Sequence, residues 1–205
     1  TIVGALAGDG ITTGTTNTIV GYTAATNLET GSDNVAMGYA AMNSANGSES
    51  RNVAIGTNAL YALDSDGQNY NVAVGYDSGK AITTATENVL VGGLSGDALT
   101  TGQYNTAIGT SALSTEDTGS GNVAIGRKAL TALNYDGAAY NIAIGYNAGA
   151  AVTTGIQNTI VGGNAGDALT TGSNNVAIGY QALTQEDEHG RNVAIGYNTL
   201  FYQNA

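Results

Sequence analysis

The chain has no cysteine, no proline and no tryptophan, and Phe201 is its one phenylalanine among 205 residues. Without cysteine it can form neither disulfide bonds nor thiolate metal sites. Apart from tyrosine, its apolar side chains are mostly Ala, Val, Ile and Leu. Such side chains fill a narrow core but not a wide one, so an ordinary globular core is not expected.

Charge is also scarce and is mostly of one sign. Five Lys and Arg stand against 16 Asp and Glu, which gives a net charge of −11. Nucleic acid is therefore not an expected partner, because binding its phosphate backbone needs basic residues. No apolar run approaches the roughly 18 residues of a membrane helix, so membrane insertion by this segment is not expected either.

What the sequence does have is a repeated Asn-x-x-x-Gly unit, and successive asparagines are separated in sequence number by 17, 18 or 19. Thr1-Ile2-Val3-Gly4 fits a twelfth unit that lacks its Asn. Self-similarity at a fixed short period is typical of a solenoid. The asparagines of the other eleven units are Asn17, Asn34, Asn52, Asn71, Asn88, Asn105, Asn122, Asn141, Asn158, Asn175 and Asn192.

A longer period, of four coils, is superimposed on the short one. Asn52, for example, recurs as Asn122, and the segment 93–102 recurs in a closely similar form at 163–172. This pattern indicates that the array grew by duplicating blocks of four coils, so that each coil of the block has its own surface loop.

Each unit is interpreted as a short strand such as Val53-Ala54-Ile55, a turn at the following glycine, and a return stretch with residues such as Leu60 and Leu63. The predicted fold is all-β: a parallel β-solenoid, or β-roll, of about twelve coils with two or three short strands in each. Helices are not expected, because helical periodicity is absent. Residues 1–205 are predicted to form one continuous array that is a fragment of a longer fibre protein.

The alternation within each strand predicts how the coils associate. The first and third strand positions hold Val, Ile, Thr or Met and are predicted to fill the coil. The second position is then predicted to face outward, although it is also apolar in every coil, which implies that the outward column is covered. We therefore expect a side-by-side homotrimer; the alternative is a flattened coil whose two walls are both internal. The second-position residues are Ile2, Ile19, Ala36, Ala54, Ala73, Leu90, Ala107, Ala124, Ala143, Ile160, Ala177 and Ala194.

The asparagine column is predicted to be structural. Stacked Asn side chains at a corner of the coil can form hydrogen bonds with one another and with the backbone of turns on adjacent coils. A catalytic or ligand-binding role for eleven identical asparagines is not expected.

The Asn-Val-Ala-Ile-Gly units, as at 52–56, 122–126, 175–179 and 192–196, resemble the repeats of YadA-like trimeric autotransporter adhesin heads. With the tyrosine that follows at 180 and 197, they are also similar to Asn-x-Ala-Ile-Gly-Tyr repeats of phage tail fibres and bacterial surface fibres. The resemblance covers essentially the whole chain. It implies a left-handed parallel β-roll that trimerises side by side, in a fibre that contacts the surface of a host or prey cell. These coils are longer than the adhesin repeat and lack its serine before the valine.

No catalytic residue, metal ligand or cofactor is predicted. The segment 162–170 superficially resembles a calcium-binding nonapeptide, but Asp9, Asp97 and Asp167 lie four or five coils apart and cannot share an ion. Glu186-Asp187-Glu188-His189 is interpreted as a solvated acidic turn. The candidate ligand-binding residues are six tyrosines that directly follow the repeated glycine, which either bind a ligand such as a sugar or shield the edge of the trimer. They are Tyr22, Tyr39, Tyr76, Tyr146, Tyr180 and Tyr197.

The predicted function is that of a structural or adhesive segment of a trimeric extracellular fibre, on a cell surface or a virion, and not an enzyme. Its partners would be two further copies of itself and a glycan or protein of a host or prey cell. An ice-binding solenoid is one alternative, based on threonine pairs such as Thr100-Thr101. A glycan-processing tailspike, with Glu186 and Asp187 as its carboxylates, is another.

Overall fold

A computed structural model describes residues 1–185 and 188–200. They form one parallel sheet in which each strand pairs with the strands before and after it in the chain. The register is regular, because the middle residue of each strand lies beside the middle residue of the next, as Ala107 lies beside Ala124. The strands are β1 (Ile2–Val3), β2 (Thr18–Val20), β3 (Val35–Met37), β4 (Val53–Ile55), β5 (Val72–Val74), β6 (Val89–Val91), β7 (Thr106–Ile108), β8 (Val123–Ile125), β9 (Ile142–Ile144), β10 (Thr159–Val161), β11 (Val176–Ile178) and β12 (Val193–Ile195).

This architecture confirms the all-β parallel solenoid, with one coil for each Asn-x-x-x-Gly unit. The described residues contain no helix, and therefore none that could cross a membrane. The prediction of two or three strands in each coil was wrong. Each coil has one named strand, and the other pairings are two isolated bridges, Ser50 with Gln68 and Ser120 with Ala138. These bridges occupy equivalent places in the two four-coil blocks, at the longest coil of each.

The return side of each coil is built from turns with a left-handed backbone instead of strands. Three positions per coil have a φ near +55°: the residue before the Asn and the second and fourth residues after the glycine. In the seventh coil they are Tyr104 at 59°, Ser111 at 55° and Leu113 at 54°. Non-glycine residues seldom adopt this conformation. Hydrogen bonds to neighbouring coils support it, as when Leu113 N donates to Ala129 O at 3.0 Å.

The predicted orientation of the strands was also wrong. The second-position side chains point inward and, from Ile19 to Ala194, are at most 1% exposed. The first and third positions point outward, and Val193 and Ile195 are 64% and 62% exposed. Ile2, in the first coil, is the one second-position residue that is itself exposed, at 51%. The reason is that the preceding Asn is buried and, because side chains alternate along a strand, it shares its face with the second position.

The interior is narrow, and its volume is shared between two facing positions. Where the second strand position holds a large residue, as at Leu90 and Ile160, the fourth residue after the glycine is small, as at Gly96 and Gly166. A Cβ added to Gly96 would lie 2.9 Å from Leu90 Cδ2. Where the strand holds Ala, the facing position often holds a buried leucine, such as Leu60 or Leu130. Because a large residue at one of the two positions faces a small residue at the other, the core stays close-packed.

The asparagine ladder is confirmed. Each Asn side chain from Asn17 to Asn175 accepts, through Oδ1, a hydrogen bond from the backbone N–H of the next Asn in the column, at 2.9 to 3.1 Å. In the shortest coils, Nδ2 also donates to a carbonyl oxygen near the end of the same coil, as Asn105 does to Gly119 O at 2.9 Å. The side chain thus ties its own coil closed and joins it to the next.

Candidate functional site

An unusual surface is formed by the outward first and third strand positions, from Thr1 and Val3 to Val193 and Ile195. We call it the outer strand face. Every residue of this face is Val, Ile or Thr except Met37, and none is charged. Several are more than a third exposed, among them Ile55, Ile108, Ile142, Ile144 and Ile178. The face is therefore a largely apolar stripe, two side chains wide and twelve coils long, or about 55 Å at roughly 4.8 Å per coil.

The sequence had predicted a covered apolar stripe but had assigned it to the alanine column. The structure places larger, mostly β-branched side chains there instead. Contiguous apolar patches of more than a few hundred Å² are rare on monomeric proteins and mark interaction surfaces. None of the strand positions that form this stripe holds Lys, Arg, Asp or Glu, so contact between two outer strand faces brings no like-charged side chains together.

A ridge of tyrosines borders the outer strand face, at the residue directly after the repeated glycine. The candidates Tyr22, Tyr39, Tyr76, Tyr146, Tyr180 and Tyr197 are 48% to 72% exposed. Tyr22 stacks on Tyr39 with ring centroids 5.9 Å apart, and Tyr180 stacks on Tyr197 at 5.7 Å. Their role in ligand binding stays a prediction.

The sequence analysis missed two contacts between an arginine and a tyrosine on adjacent coils. Arg127 lies over the ring of Tyr146, with its guanidinium carbon 5.6 Å from the ring centroid. Arg51 lies over Tyr70 at 5.4 Å and donates a hydrogen bond to the Tyr70 hydroxyl. Such cation–π pairs add about 0.5 to 1 kcal/mol each at exposed sites. Each arginine is separated from its tyrosine by a full coil of sequence, so only the alignment of coils reveals the pairs.

The carboxylates considered for calcium lie apart, as expected from their spacing. Asp97 and Asp167 each have a buried Oδ1 atom without a hydrogen-bond partner, and burial raises the pKa of both carboxyl groups. In residues 1–185 and 188–200, no three His, Asp or Glu side chains are grouped so that they could hold a metal ion. Glu186 and Asp187, named above as tailspike candidates, lie outside the described residues.

The threonine pairs that suggested an ice-binding face are partly engaged in bonds between coils. The first hydroxyl of a pair donates to a carbonyl of the next coil, as Thr100 Oγ1 does to Asp117 O at 3.0 Å and Thr12 Oγ1 to Glu29 O at 3.1 Å. A hydroxyl engaged in this way has no proton left to donate to ice. The exposed second threonines, such as Thr101, form an interrupted column.

A fully buried carboxyl group, Glu116, lies inside the seventh coil. Its Oε1 accepts hydrogen bonds from the backbone N–H of Gly119 at 2.7 Å and of Asp117 at 3.1 Å, and its Oε2 from that of Tyr135 at 3.2 Å. Burial nevertheless raises its pKa above the ordinary value of 4.5, and these hydrogen bonds oppose the rise without cancelling it. The hydrogen bonds of Glu116 hold the end of its coil together and join it to the next, but they require burial of a carboxyl group away from water.

We predict that Glu116 makes stability fall with rising pH. Because its pKa is higher in the folded chain than in the unfolded one, the folded state holds the proton more tightly. Its contribution is therefore fully present below pH 4.5 and is lost as the pH rises through the raised folded value. The melting temperature of wild type should fall relative to that of Glu116→Gln between pH 4 and pH 7. Parallel curves for the two proteins would contradict this, and Glu87→Gln measures the effect of removing one negative charge from the surface.

Comparison with known proteins gives no further assignment: no family model, no curated protein and no solved structure matches the chain.

Proposed function

We propose that this solenoid is a structural and adhesive segment of an extracellular fibre in which three copies associate side by side through their outer strand faces. The observation that carries the proposal is the outer strand face itself, which is uncharged, consists of Val, Ile, Thr and Met side chains, and is at least partly exposed in all twelve coils. The resemblance of the repeats to those of trimeric adhesin heads and tail fibres supports the number three. The proposal assigns the chain no catalysis.

The energetics favour association of whole rods. Burying apolar surface contributes roughly 25 cal/mol per Å², and each coil adds the same increment to a continuous seam. Three parallel rods around one axis form a closed cyclic assembly, in which every copy has the same environment. Parallel copies related by a cyclic axis place each coil beside the same coil of the other copies.

The variation along the face has a role in this assembly. A strictly periodic face would let one rod slide past another by a whole coil. Threonines such as Thr106 and Thr159 replace Val or Ile at the first position, and Met37 replaces it at the third. These irregularities make one axial alignment better packed than its neighbours, which favours a single register between the copies.

A pair of charges on the outer strand face is expected to break the trimer. Ile108→Asp combined with Ile144→Asp places two carboxylates per copy at the seam, and burying unpaired charges costs several kcal/mol. We expect the mass in solution to fall to that of the 20.4 kDa monomer. The circular dichroism spectrum should be retained, because both side chains point away from the core.

The matched control is Thr101→Asp, which adds a carboxylate at an exposed position outside the outer strand face. It should leave the mass unchanged. An assembly that survives both outer-face substitutions would place the interface elsewhere and would overturn the proposal.

A further inference from the structure

A groove of about 620 Å³ runs across the second to fifth coils, on the arc that follows the strands. Its volume lies within the range of small-molecule clefts. The groove is lined by aromatic and amide side chains and by one ammonium group. The residues that matter to its chemistry are Tyr22, Tyr39, Tyr61, Asn43, Asn58 and Lys80.

The position of the groove leaves it accessible in the proposed trimer. Its lining residues are the first, second and fifth after the repeated glycine, and no residue of β1 to β12 lines it. Covering the outer strand face would therefore leave its lining exposed. The groove crosses several coils of one copy and needs no contribution from another.

Three tyrosines form its aromatic walls. Tyr22 and Tyr39 stack with their ring planes at 16° to each other and are 53% and 55% exposed, and Tyr61 is 36% exposed. In the next coil Thr57 occupies the position of Tyr39, and because its side chain is smaller, the ridge is lower there. The walls thus present aromatic surface that has no protein partner on its solvent side.

The polar groups are held in fixed orientations. Asn43 Nδ2 donates to Thr23 O at 2.9 Å, and Asn58 Nδ2 donates to Asp77 Oδ1 at 2.8 Å. Lys80 Nζ donates one hydrogen bond to Asp77 Oδ2 at 3.1 Å, and this bond raises the pKa of the lysine. The amide oxygens of Asn43 and Asn58, two protons of the Lys80 ammonium group and the tyrosine hydroxyls remain available to a ligand. The groove therefore offers acceptors and donors together.

We propose that this groove binds a neutral oligosaccharide, which would give the adhesive function proposed above its ligand class and which rests on that function. One face of a pyranose ring carries C–H groups that pack on the negative face of an aromatic ring. Sugar hydroxyls both donate and accept, which matches the amide oxygens and the ammonium group. A proline-rich peptide has few donors for the amide oxygens, and a phosphate or sulfate ligand would meet one cation that is already paired with Asp77.

The test is binding of the whole chain to a printed array of neutral and sulfated oligosaccharides, with a polyproline decapeptide measured in solution alongside. We expect at least one neutral oligosaccharide to bind. Tyr39→Ala and Tyr61→Ala should each weaken that binding by about tenfold or more, the equivalent of 1.4 kcal/mol. Tyr39→Phe should stay within about threefold of wild type, because the ring remains.

The matched control is Tyr104→Ala, which removes an exposed ring that belongs neither to the groove nor to the tyrosine ridge. Its binding should equal that of wild type. The proposal is overturned if no neutral oligosaccharide binds on the array, if Tyr39→Ala and Tyr104→Ala lose binding equally, or if the decapeptide binds instead.

The mass in solution, measured on the same samples, separates this proposal from the proposed function. A trimer that binds no neutral oligosaccharide overturns the groove alone. A monomer whose oligosaccharide binding depends on Tyr39 and Tyr61 supports the groove and overturns the trimer.

Discussion

Gly126→Ala is expected to destabilise the solenoid by about 4 kcal/mol or more, among the largest effects of any single substitution. Gly126 has a φ of +130°, which L side chains rarely adopt, and an added Cβ would lie 2.3 Å from Gly145 O in the next coil. The neighbouring backbone cannot yield, because it belongs to the hydrogen-bonded stack of coils. The measurement is the free energy of unfolding in denaturant. Unfolding should also lose cooperativity, since each coil contacts only its neighbours.

Gly137→Ala is the matched control for this prediction. Gly137 lies in the same coil with a φ of +135°, but an added Cβ would meet only Tyr135 Cε1, at an ordinary 3.5 Å. Gly137→Ala therefore introduces the backbone strain, about 1 to 3 kcal/mol, without the clash. Equal losses in the two variants would show that the close approach of the coils is not what requires the repeated glycine.

Asn105→Ala is expected to cost roughly 3 to 5 kcal/mol, because it breaks the ladder at its centre and orphans two buried backbone groups. In wild type, Asn105 Oδ1 accepts a hydrogen bond from the Asn122 N–H at 3.0 Å, and Asn105 Nδ2 donates one to Gly119 O at 2.9 Å. The substitution leaves both backbone groups without these partners. An unsatisfied buried backbone group costs about 1 to 3 kcal/mol. Thermal unfolding followed by circular dichroism measures the loss.

An exposed asparagine provides the comparison. Asn27 donates one hydrogen bond to Asn43 O at 2.9 Å from the surface of the second coil. Asn27→Ala should cost less than about 1 kcal/mol, because water replaces the lost partner. A loss at Asn105 no larger than this would contradict the structural role of the ladder.

The sequence predicts the number and position of the coils well, because each coil must place the same residue types at the same height. The Asn-x-x-x-Gly units mark every strand from Thr18–Val20 to Val193–Ile195. The turns were not predictable in this way. Residues such as Leu113 and Lys128 have no preference for a left-handed backbone, and only the bonds between coils stabilise it there.

The orientation of the strands shows a limit of periodicity. Alternation tells which residues share a face, but when both faces are apolar it does not tell which face is inside. The buried Asn resolves this, because Asn105 and Ala107 share a face and the hydrogen bonds of Asn105 lie in the interior. An Asn side chain in the interior also places the second strand position there, which leaves the outer strand face to the first and third positions.

The two candidate ligand sites, the tyrosine ridge and the groove, differ in whether the sequence reveals them. The tyrosine ridge is visible in the sequence, because its members follow the repeated glycine directly. The groove is not visible, because Tyr39, Tyr61 and Lys80 come from three coils and from two different positions after the glycine. Only the stacking of the coils brings them together.

The central claim is that the outer strand face is covered by other copies of the chain. Light scattering coupled to size-exclusion chromatography tests it most directly, on the unmodified protein across a range of concentrations. The predicted result is a mass of three times 20.4 kDa. A stable 20.4 kDa monomer at every concentration would contradict the account.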